Sequence, residues 1–413
     1  MRILFLTQYF PPETGAPQNR LFALAKRLKA FGANVSILTA MPNYPKMEIM
    51  INYTNKFYVS ENLESLDVHR AYIFVKNSKS LVLRMFTYFS FVLSSLIVGL
   101  CKINKQDYIF CESPPLFLGI SALILYKVKK ANFIFNVSDL WPESAEKLGL
   151  VRNKFFLYLT KKLEETLYKN AYIISGQTQG IVKNIQSRFP EKNVYWLKNG
   201  MESFENNIVE NISWREKKGF SPDDFIVLYA GIIGFAQGLD VILKAAKTLV
   251  TQSKIKFILL GDGPEKQRLL ELNSSLNLQN VYFFDSEPKS QMPFILNSID
   301  AAVVPLKKID LFKGAIPSKI FEILSAKKPL LLGVEGEAEE LFINQGKAGL
   351  KFEPDNGDDL ANKILVLFND QALGKNMGMH GYIFVKKNFN NDSIAENFWE
   401  LINSNLHKLM NKT

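Results

Sequence analysis

The feature that most constrains the fold is an alternation of short apolar runs and longer amphipathic stretches along the 413 residues. Runs such as 34–40 and 225–231 are too short for most helices and are rich in β-branched or aromatic residues. The stretches between such runs repeat apolar residues at helical spacing. Alternation of strand and helix is typical of a parallel sheet covered by helices on both faces, so we predict an α/β protein.

The length of the chain predicts two domains, because a single core rarely grows this large. A polar, partly acidic stretch at 202–224 separates two alternating halves, and 47% hydrophobic residues suffice for two cores. We predict Rossmann-like, doubly wound domains over 1–203 and 204–385, and a C-terminal helix within 386–413 that packs back on the first domain. Ligands of such sheets bind at the carboxyl ends of strands, so we expect a cleft lined by both domains.

Glycine-rich loops follow two strands of the second half. Gly231, Gly234 and Gly238 stand before and at the start of a helix, and Gly261 and Gly263 follow the next strand. Glycines let backbone N–H groups close on a pyrophosphate at a helix N-terminus. A plain strand-to-helix turn rarely needs three glycines, so we predict a phosphate site.

The stretch 314–332, GAIPSKIFEILSAKKPLLL, has the pattern of a loop, a helix and a buried strand. Pro317 can open the helix, because the first N–H groups of a helix have no partner within it and proline, which lacks an N–H, loses no hydrogen bond there. Glu322 falls on the first turns, where its carboxylate could accept hydrogen bonds from sugar hydroxyls. Phosphate-binding and hydroxyl-binding groups side by side suggest a nucleotide-sugar site. The alternative is a surface glutamate on an ordinary helix.

Polar residues of the first half follow the predicted carboxyl ends of strands. Asp139 and Trp141 come directly after a buried strand, where a carboxylate and an indole could hold sugar hydroxyls and a ring face. The alternative is that Asp139 caps the following turn. The predicted acceptor-binding residues are Gly15, Asn19, Arg20, Asn43, Asp139 and Trp141.

One helical stretch, 81–101, carries no charge after Arg84 and has about the lower length limit of a membrane-spanning helix. A spanning helix would break the alternating pattern. Two alternatives stay open and are compatible: a buried helix of the first domain, or a monotopic face shared with the lysine-ended run 114–130. The net charge of +10 suits the anionic inner surface of a membrane, and we find no nucleic-acid recognition pattern.

The composition argues against several kinds of site. Two cysteines form no disulfide framework, and three histidines argue against a histidine-based metal site or catalytic triad. We expect neither a metal nor another cofactor. A strand-like run follows Arg2 at once, without the pattern of a signal peptide, so we expect a cytoplasmic protein at the inner face of the cytoplasmic membrane.

Six segments together resemble the GT-B fold glycosyltransferases of glycosyltransferase family 4, of the bacterial O-antigen and capsule type that includes L-fucosamine transferases. The segments are RILFLTQYFPPETGAPQNR, ESPPLFLG, SDLWPESAEKLG, LYAGIIGFAQGLD, LLGDGPEKQRL and AIPSKIFEILSAKKPLLL, and the resemblance covers nearly the whole chain. It implies a retaining, metal-independent transfer of a HexNAc or deoxy-HexNAc from a UDP-sugar. The implied acceptor is a saccharide on undecaprenyl diphosphate, in lipopolysaccharide or capsule biosynthesis.

The chain departs from the family at three positions. The later glutamate of the E-x7-E motif, which contacts ribose, matches Glu322, but Gly314 occupies the earlier position. Ile232 and Gln237 stand where many members have an arginine and a lysine. Lys319 is the candidate cation for the phosphates, with Lys198 as the alternative. The family's first-domain histidine also has no match here, and Asp139 lies in the loop that occupies its neighbourhood, so the predicted catalytic set is Asp139, Lys319 and Glu322.

The complete donor set predicted in this way is Gly231, Gly234, Gln237, Gly238, Gly261, Gly263, Pro317, Ser318, Lys319 and Glu322. Two other functions stay open. The first is a sugar-nucleotide epimerase or a phosphorylase of similar fold, and an epimerase would need acid and base groups beside the sugar. A non-catalytic partner is favoured only by the three departures.

Overall fold

The computed structural model describes residues 1–13, 15–44, 47–76, 81–149, 151–202 and 213–410. Contacts divide the chain into a first unit, Met1–Asn199 with Asn391–Thr413, and a second unit, Gly200–Asn390. The domain boundary predicted at 203/204 lies outside the described residues. The second boundary was predicted at 385/386, and the chain re-enters the first unit at Asn391.

The described part of the first unit contains an eight-stranded sheet. Its strands are β1 (Arg2–Leu6), β2 (Asn34–Ala40), β3 (Tyr58–Leu63), β4 (Leu66–Ala71), β5 (Tyr108–Ser113), β6 (Asn132–Val137), β7 (Ile173–Gly176) and β8 (Val194–Trp196). They lie in the order β3-β4-β2-β1-β5-β6-β7-β8, with β3 antiparallel to β4 and the other neighbours parallel. The order reverses between β1 and β5, and ligands of open α/β sheets bind at such a point.

Helices cover this sheet. They are α1 (Ala16–Ala30), α2 (Leu81–Lys102), α3 (Leu118–Lys129), α4 (Glu143–Lys147), α5 (Lys154–Asn170) and α6 (Gln179–Arg188). Every residue of β5 is buried, which explains why a continuous apolar run rather than an alternating one encodes it.

The described part of the second unit contains a six-stranded parallel sheet. Its strands are β9 (Phe225–Ala230), β10 (Ile255–Leu260), β11 (Val281–Phe284), β12 (Ala301–Pro305), β13 (Leu330–Gly333) and β14 (Gly349–Lys351). Its α-helices are α7 (Trp214–Lys217), α8 (Asp240–Thr248), α9 (Lys266–Ser275), α10 (Met292–Asn297), α11 (Lys319–Ser325), α12 (Gly357–Asn369) and α13 (Gln371–Asn388).

The order β11-β10-β9-β12-β13-β14 is that of a doubly wound nucleotide-binding sheet, and it reverses between β9 and β12. The predicted fold of two parallel-sheet α/β domains is therefore confirmed. We therefore expect a ligand at the loops that follow β9 and β12, because the carboxyl ends of these two strands border the crevice where the strand order reverses.

The C-terminal helix α14 (Asn391–Met410) belongs to the core of the first unit. It packs along α1, and Phe398 and Ile402 are fully buried. The Tyr108 hydroxyl donates a hydrogen bond of 2.8 Å to the Ile402 carbonyl oxygen. This contact fixes the helix to β5, one of the two strands at the reversal point.

The helix α2 has two different faces. Phe91 and Ser95 are buried against the unit, and the Ser121 hydroxyl of α3 donates a hydrogen bond of 2.7 Å to the Val92 carbonyl. The opposite face exposes an apolar stripe at helical spacing, which we call the α2 stripe: Val82, Phe86, Phe89, Leu93, Ile97 and Leu100. Among the described residues only the helix Val82–Lys102 is long and apolar enough to cross a membrane, and core helices can pass the same test.

Candidate active site

The loops after β9 and β10 pack together backbone against backbone. The Gly231 N–H donates a hydrogen bond of 2.9 Å to the Leu260 carbonyl. A Cβ atom on Gly261 would lie 1.9 Å from the Gly231 carbonyl oxygen, and one on Gly263 would lie 2.4 Å from the Ile233 carbonyl oxygen. Both glycines also have positive φ. Their immediate role is therefore to let the second loop support the first.

Lys319, at the start of α11, reaches the loop after β9. A Cβ atom on Gly231 would lie 2.9 Å from the Lys319 Nζ. The same ammonium lies 3.8 Å from the centroid of the Tyr229 ring, within the range of a cation–π interaction. The Tyr229 hydroxyl in turn donates a hydrogen bond of 2.5 Å to the Ile232 carbonyl. Two residues predicted to bind phosphate, Gly231 and Lys319, are thus brought together.

Burial controls the charges here. Desolvation lowers the pKa of Lys319 to about 7, although Glu322 acts in the opposite direction. Burial raises the pKa of Glu322, and the positive charges of Lys289 and Lys319 oppose that rise. An anionic ligand beside Lys319 would favour its charged form. Sequence reasoning missed Lys289, which lies in a turn after β11 with no motif to mark it.

The remaining glycines shape the loop after β9. Gln237 ends a short 3-10 turn, and its side-chain oxygen lies 2.8 Å from the place where Gly234 would carry a Cβ atom. Gly238 has φ of 58°, and a Cβ atom there would lie 3.0 Å from Cγ of Lys307, which follows β12. Lys307 places its ammonium over the ring of Phe235. Gly238 therefore lets the loops after β9 and β12 meet where the strand order reverses.

The helix of the 314–332 stretch begins at Lys319, and not at Pro317 as predicted. The Pro317 carbonyl accepts a hydrogen bond of 3.1 Å from the Ile320 N–H, which closes a tight turn ahead of the helix. Ser318 takes the N-cap position, and its side chain makes no capping bond. Gly314 ends a separate 3-10 turn, so no carboxylate stands at the first position of the motif.

In the first unit, Arg20 lies in a buried polar network. Its guanidinium donates hydrogen bonds of 2.5 Å to Glu112 and 2.7 Å to Ser138, and one of 3.3 Å to Asn199. Glu112 also accepts a hydrogen bond of 2.5 Å from the Asn136 amide. These groups lie at the carboxyl ends of β5 and β6. Arg20, predicted to contact the acceptor, is thus engaged by a carboxylate that sequence reasoning missed.

Asp139 and Trp141 lie in the loop between β6 and α4. The Asp139 carboxylate accepts a hydrogen bond of 2.8 Å from the Ser144 hydroxyl, and burial of the carboxyl atoms raises its pKa. The Trp141 ring lies 5.4 Å from that of Phe117 and 6.4 Å from that of Phe156, between centroids. Asp139 therefore braces the turn into α4, whose N-cap position is taken by Pro142 without a side-chain capping bond, and the residue as a whole is exposed to solvent.

The other predicted acceptor residues hold the loops after β1 and β2. Gly15 has extended backbone, and its carbonyl accepts a hydrogen bond of 3.1 Å from the Asn19 N–H. Asn43 is buried, and its amide donates 2.8 Å to the Met41 carbonyl. The Glu13 carboxylate accepts a hydrogen bond of 2.7 Å from the Asn43 N–H. Asn43 and Glu13 thus support the loops, and sequence reasoning missed Glu13.

The second unit therefore combines two kinds of group at the reversal of its sheet. The N–H groups of Gly231 and Gly238 already donate to backbone carbonyls, so the N–H groups between them, of residues 234–236, and the Lys319 ammonium are those that suit a diphosphate. The Glu322 carboxylate suits a pair of hydroxyls. The described residues contain no cluster of three side chains able to hold a metal ion. Lys319, Lys289 and Lys307 supply positive charge at this edge.

Comparison with known proteins identifies a family and several relatives of this chain. Residues 210–408 match the family described as glycosyl transferases group 1. The protein named "Putative colanic acid biosynthesis glycosyl transferase WcaI", of Escherichia coli K12, is 25% identical to this chain over 347 residues. The match covers 82% of this chain and 84% of that protein.

Solved structures show the same fold over nearly the whole chain. Sucrose-phosphate synthase from Thermosynechococcus elongatus superposes with a TM-score of 0.77 at 16% identity, covering 98% of this chain and 99% of that one. Anabaena HepE in complex with UDP and glucose gives a TM-score of 0.69 at 16% identity, covering 98% and 100%. These likenesses confirm the predicted GT-B architecture.

Proposed function

We propose that this chain, a glycosyltransferase, moves a HexNAc or deoxy-HexNAc from a UDP-sugar to a lipid-linked saccharide in O-antigen, lipopolysaccharide or capsule biosynthesis. We also place it, by resemblance, in glycosyltransferase family 4, near the L-fucosamine transferases. One structural observation is the main support for the proposal. Lys319 lies against Gly231 at the reversal of the second sheet, with Glu322 one turn along the same helix.

The donor is proposed to bind with its diphosphate on the glycine loop and its ribose on Glu322. The N–H groups of residues 234–236 and the Lys319 ammonium would donate hydrogen bonds to the phosphate oxygens, and the Glu322 carboxylate would accept hydrogen bonds from the ribose hydroxyls. HepE, which shares the fold, binds UDP, and this supports uridine as the nucleobase. Lys319 then replaces the arginine and lysine that the family pattern would place at Ile232 and Gln237.

The proposed reaction retains the configuration of the anomeric carbon. The bond between that carbon and the β-phosphate oxygen breaks as the acceptor oxygen bonds to the same face, and the acceptor proton passes to the departing phosphate. Negative charge grows on UDP in this step, and preorganised donors and a cation lower the barrier where charge develops. Lys319 and Glu322 are the proposed catalytic residues of the donor side, and Asp139 is that of the acceptor side.

The acceptor is proposed to reach the enzyme from the inner face of the cytoplasmic membrane. The α2 stripe exposes six large apolar side chains, and Val128 of α3 is also exposed. Lys127 and Lys130 end the neighbouring helix, where they suit anionic headgroups. Lys129 instead donates a hydrogen bond of 2.6 Å to the Ile103 carbonyl, so its ammonium serves the fold. An apolar face with a basic rim favours peripheral binding over crossing.

The test is turnover with a panel of UDP-sugars and an undecaprenyl-diphosphate-linked saccharide, read as UDP release and as product. We expect Glu322→Ala to lower kcat/KM by about 10- to 100-fold, the effect of losing a charged hydrogen bond. Glu271→Ala, on the exposed side of α9, is the matched control and should leave turnover unchanged. Unchanged turnover by the Glu322 variant would reject the assigned site. Isomerised donor without acceptor would identify an epimerase instead.

A further inference from the structure

A cluster of three tyrosines and an arginine lies at the carboxyl edge of the first sheet, outside the residues assigned so far. The rings of Tyr9 and Tyr44 meet edge to face, 5.7 Å between centroids. Burial raises the pKa of Tyr9 well above its usual value, the neighbouring Tyr88, Glu13 and Tyr44 raise it further, and the positive charge of Arg84 opposes the rise. We call Tyr9, Tyr44, Arg84 and Tyr88 the tyrosine cluster.

The topology of the sheet explains why these residues meet. Tyr9 follows β1 and Tyr44 follows β2, two adjacent parallel strands whose carboxyl ends share one edge. The crossover helix α2 comes after β4, which pairs with β2, so α2 begins at that same edge. Its first turns carry Arg84 and Tyr88. The cluster therefore lies where the reversal of strand order favours a ligand.

The polar side-chain groups of the cluster are not used by the part of the fold that the structure describes. Within the described ranges, neither the three hydroxyls nor the Arg84 guanidinium has a hydrogen-bond or ion-pair partner. The arginine is exposed, and the three tyrosines are half-buried. A guanidinium presents a fork of donors that matches phosphate oxygens, and phenols both donate and accept hydrogen bonds. Together they suit a phosphate that carries a sugar.

The α2 stripe points away from this cluster. At 3.6 residues per turn, Arg84 and Tyr88 fall on the side of α2 opposite to Phe86 and Leu93. A surface that binds the stripe would thus lie about 10 Å from the cluster, the diameter of one helix. A headgroup that projects from a bilayer past one helix would arrive at Arg84.

An aromatic contact links the cluster to the predicted acceptor loop. The Phe117 ring lies 6.1 Å from that of Tyr88 and 5.4 Å from that of Trp141, between centroids. Phe117 is buried, so it holds Tyr88 and Trp141 at a fixed spacing. A sugar attached to a phosphate at Arg84 would therefore extend toward Trp141.

We propose that Tyr9, Tyr44, Arg84 and Tyr88 bind the diphosphate headgroup of a polyprenyl-linked acceptor. The inference rests on the proposed function, since it assumes that the acceptor is lipid-linked. It adds a binding site for the phosphate, in which Arg84 pairs with the anion and the phenols hold its oxygens and the first sugar hydroxyls.

The experiment measures binding to nanodiscs of phosphatidylcholine with or without undecaprenyl diphosphate, and to nanodiscs in which phosphatidylglycerol supplies the same negative charge. We expect the wild-type chain to prefer undecaprenyl diphosphate to phosphatidylglycerol. Arg84→Gln should weaken that binding about tenfold or more, and Tyr88→Phe about threefold, as loss of a charged and a neutral hydrogen bond predict. Lys183→Gln, exposed on α6, removes the same charge elsewhere and should leave binding unchanged.

Three results would overturn the site. Arg84→Gln could bind undecaprenyl diphosphate as tightly as the wild type does. It could lose phosphatidylglycerol binding to the same degree, which would make Arg84 a general membrane contact. It could weaken UDP binding measured by calorimetry, which would assign the arginine to the donor diphosphate. The turnover assay tests the proposed function separately, and that function would be rejected if no UDP-sugar gave UDP release.

Discussion

The ammonium of Lys319 makes the donor site sensitive to pH in a way that can be measured. Burial lowers its pKa to about 7, so about half of the free protein carries this charge at pH 7 and about a tenth at pH 8. Bound diphosphate favours the charged form. UDP binding should therefore take up about 0.5 proton at pH 7 and about 0.9 proton at pH 8, and only about 0.1 at pH 6.

The sign of the affinity change follows from this uptake. Because the complex binds more protons than the free protein, UDP affinity should be highest below pH 7. It should fall about five- to sixfold between pH 7 and pH 8 and about ninefold between pH 8 and pH 9, as long as Lys319 stays charged in the complex. At pH 6, Lys319→Met should cost about 1.5–3 kcal/mol, which is about 10- to 150-fold in Kd. The two affinities should converge toward pH 9, where the lysine of the free protein is neutral.

The assay is calorimetry of UDP binding in buffers of different ionisation enthalpy, from pH 6 to pH 9. Protons bound by UDP itself appear equally in the wild type and in Lys319→Met, so the difference reports Lys319. Lys247→Met, exposed on α8, is the control and should keep the wild-type pH dependence. Equal proton uptake by the wild type and Lys319→Met at pH 8 would refute the reasoning, even if the affinities differed.

Three further predictions concern single side chains. Glu322→Gln should bring the preference for UDP over 2′-deoxy-UDP close to one in competition binding, and an undiminished preference would remove the ribose contact. Gly261→Ala should lower the free energy of unfolding in urea by about 1–3 kcal/mol more than Gly219→Ala, because only the first Cβ meets a carbonyl oxygen, and equal losses would contradict the packing. Glu112→Ala should cost about 3–5 kcal/mol in the same assay, and adding Arg20→Met should recover part, since an unpaired buried charge causes the loss. If Arg20→Met recovered no stability in the Glu112→Ala background, loss of the ion pair between Arg20 and Glu112 would not be the cause.

Local patterns can predict buried parallel strands, because such strands are short apolar runs. The run 34–40 became β2 to the residue, and the run 225–231 became β9, which ends one residue earlier. The edge strands β3 and β14 were not predicted. The sequence of β3, YVSENL, is polar and only partly buried, so its pairing with β4 comes from the adjacent turn and not from apolar content.

Some contacts of the candidate site could be predicted from the sequence and others could not. The proximity of Lys319 to Gly231 could be anticipated, because both follow strands whose carboxyl ends share an edge of one sheet. The partners of Arg20 could not, because Glu112 reads locally as the end of a buried run and their pairing spans distant parts of the chain. Long-range polar pairs of this kind leave no periodic signal in the sequence.

The central claim is that the second unit binds UDP through the loop 231–238 and the start of α11. Hydrogen–deuterium exchange of the full chain with and without UDP tests it most directly, since bound ligand slows exchange where it orders the backbone. We predict slower exchange at 231–238 and 317–322, and unchanged exchange along α2. Slower exchange confined to other segments, or none at saturating UDP, would contradict it.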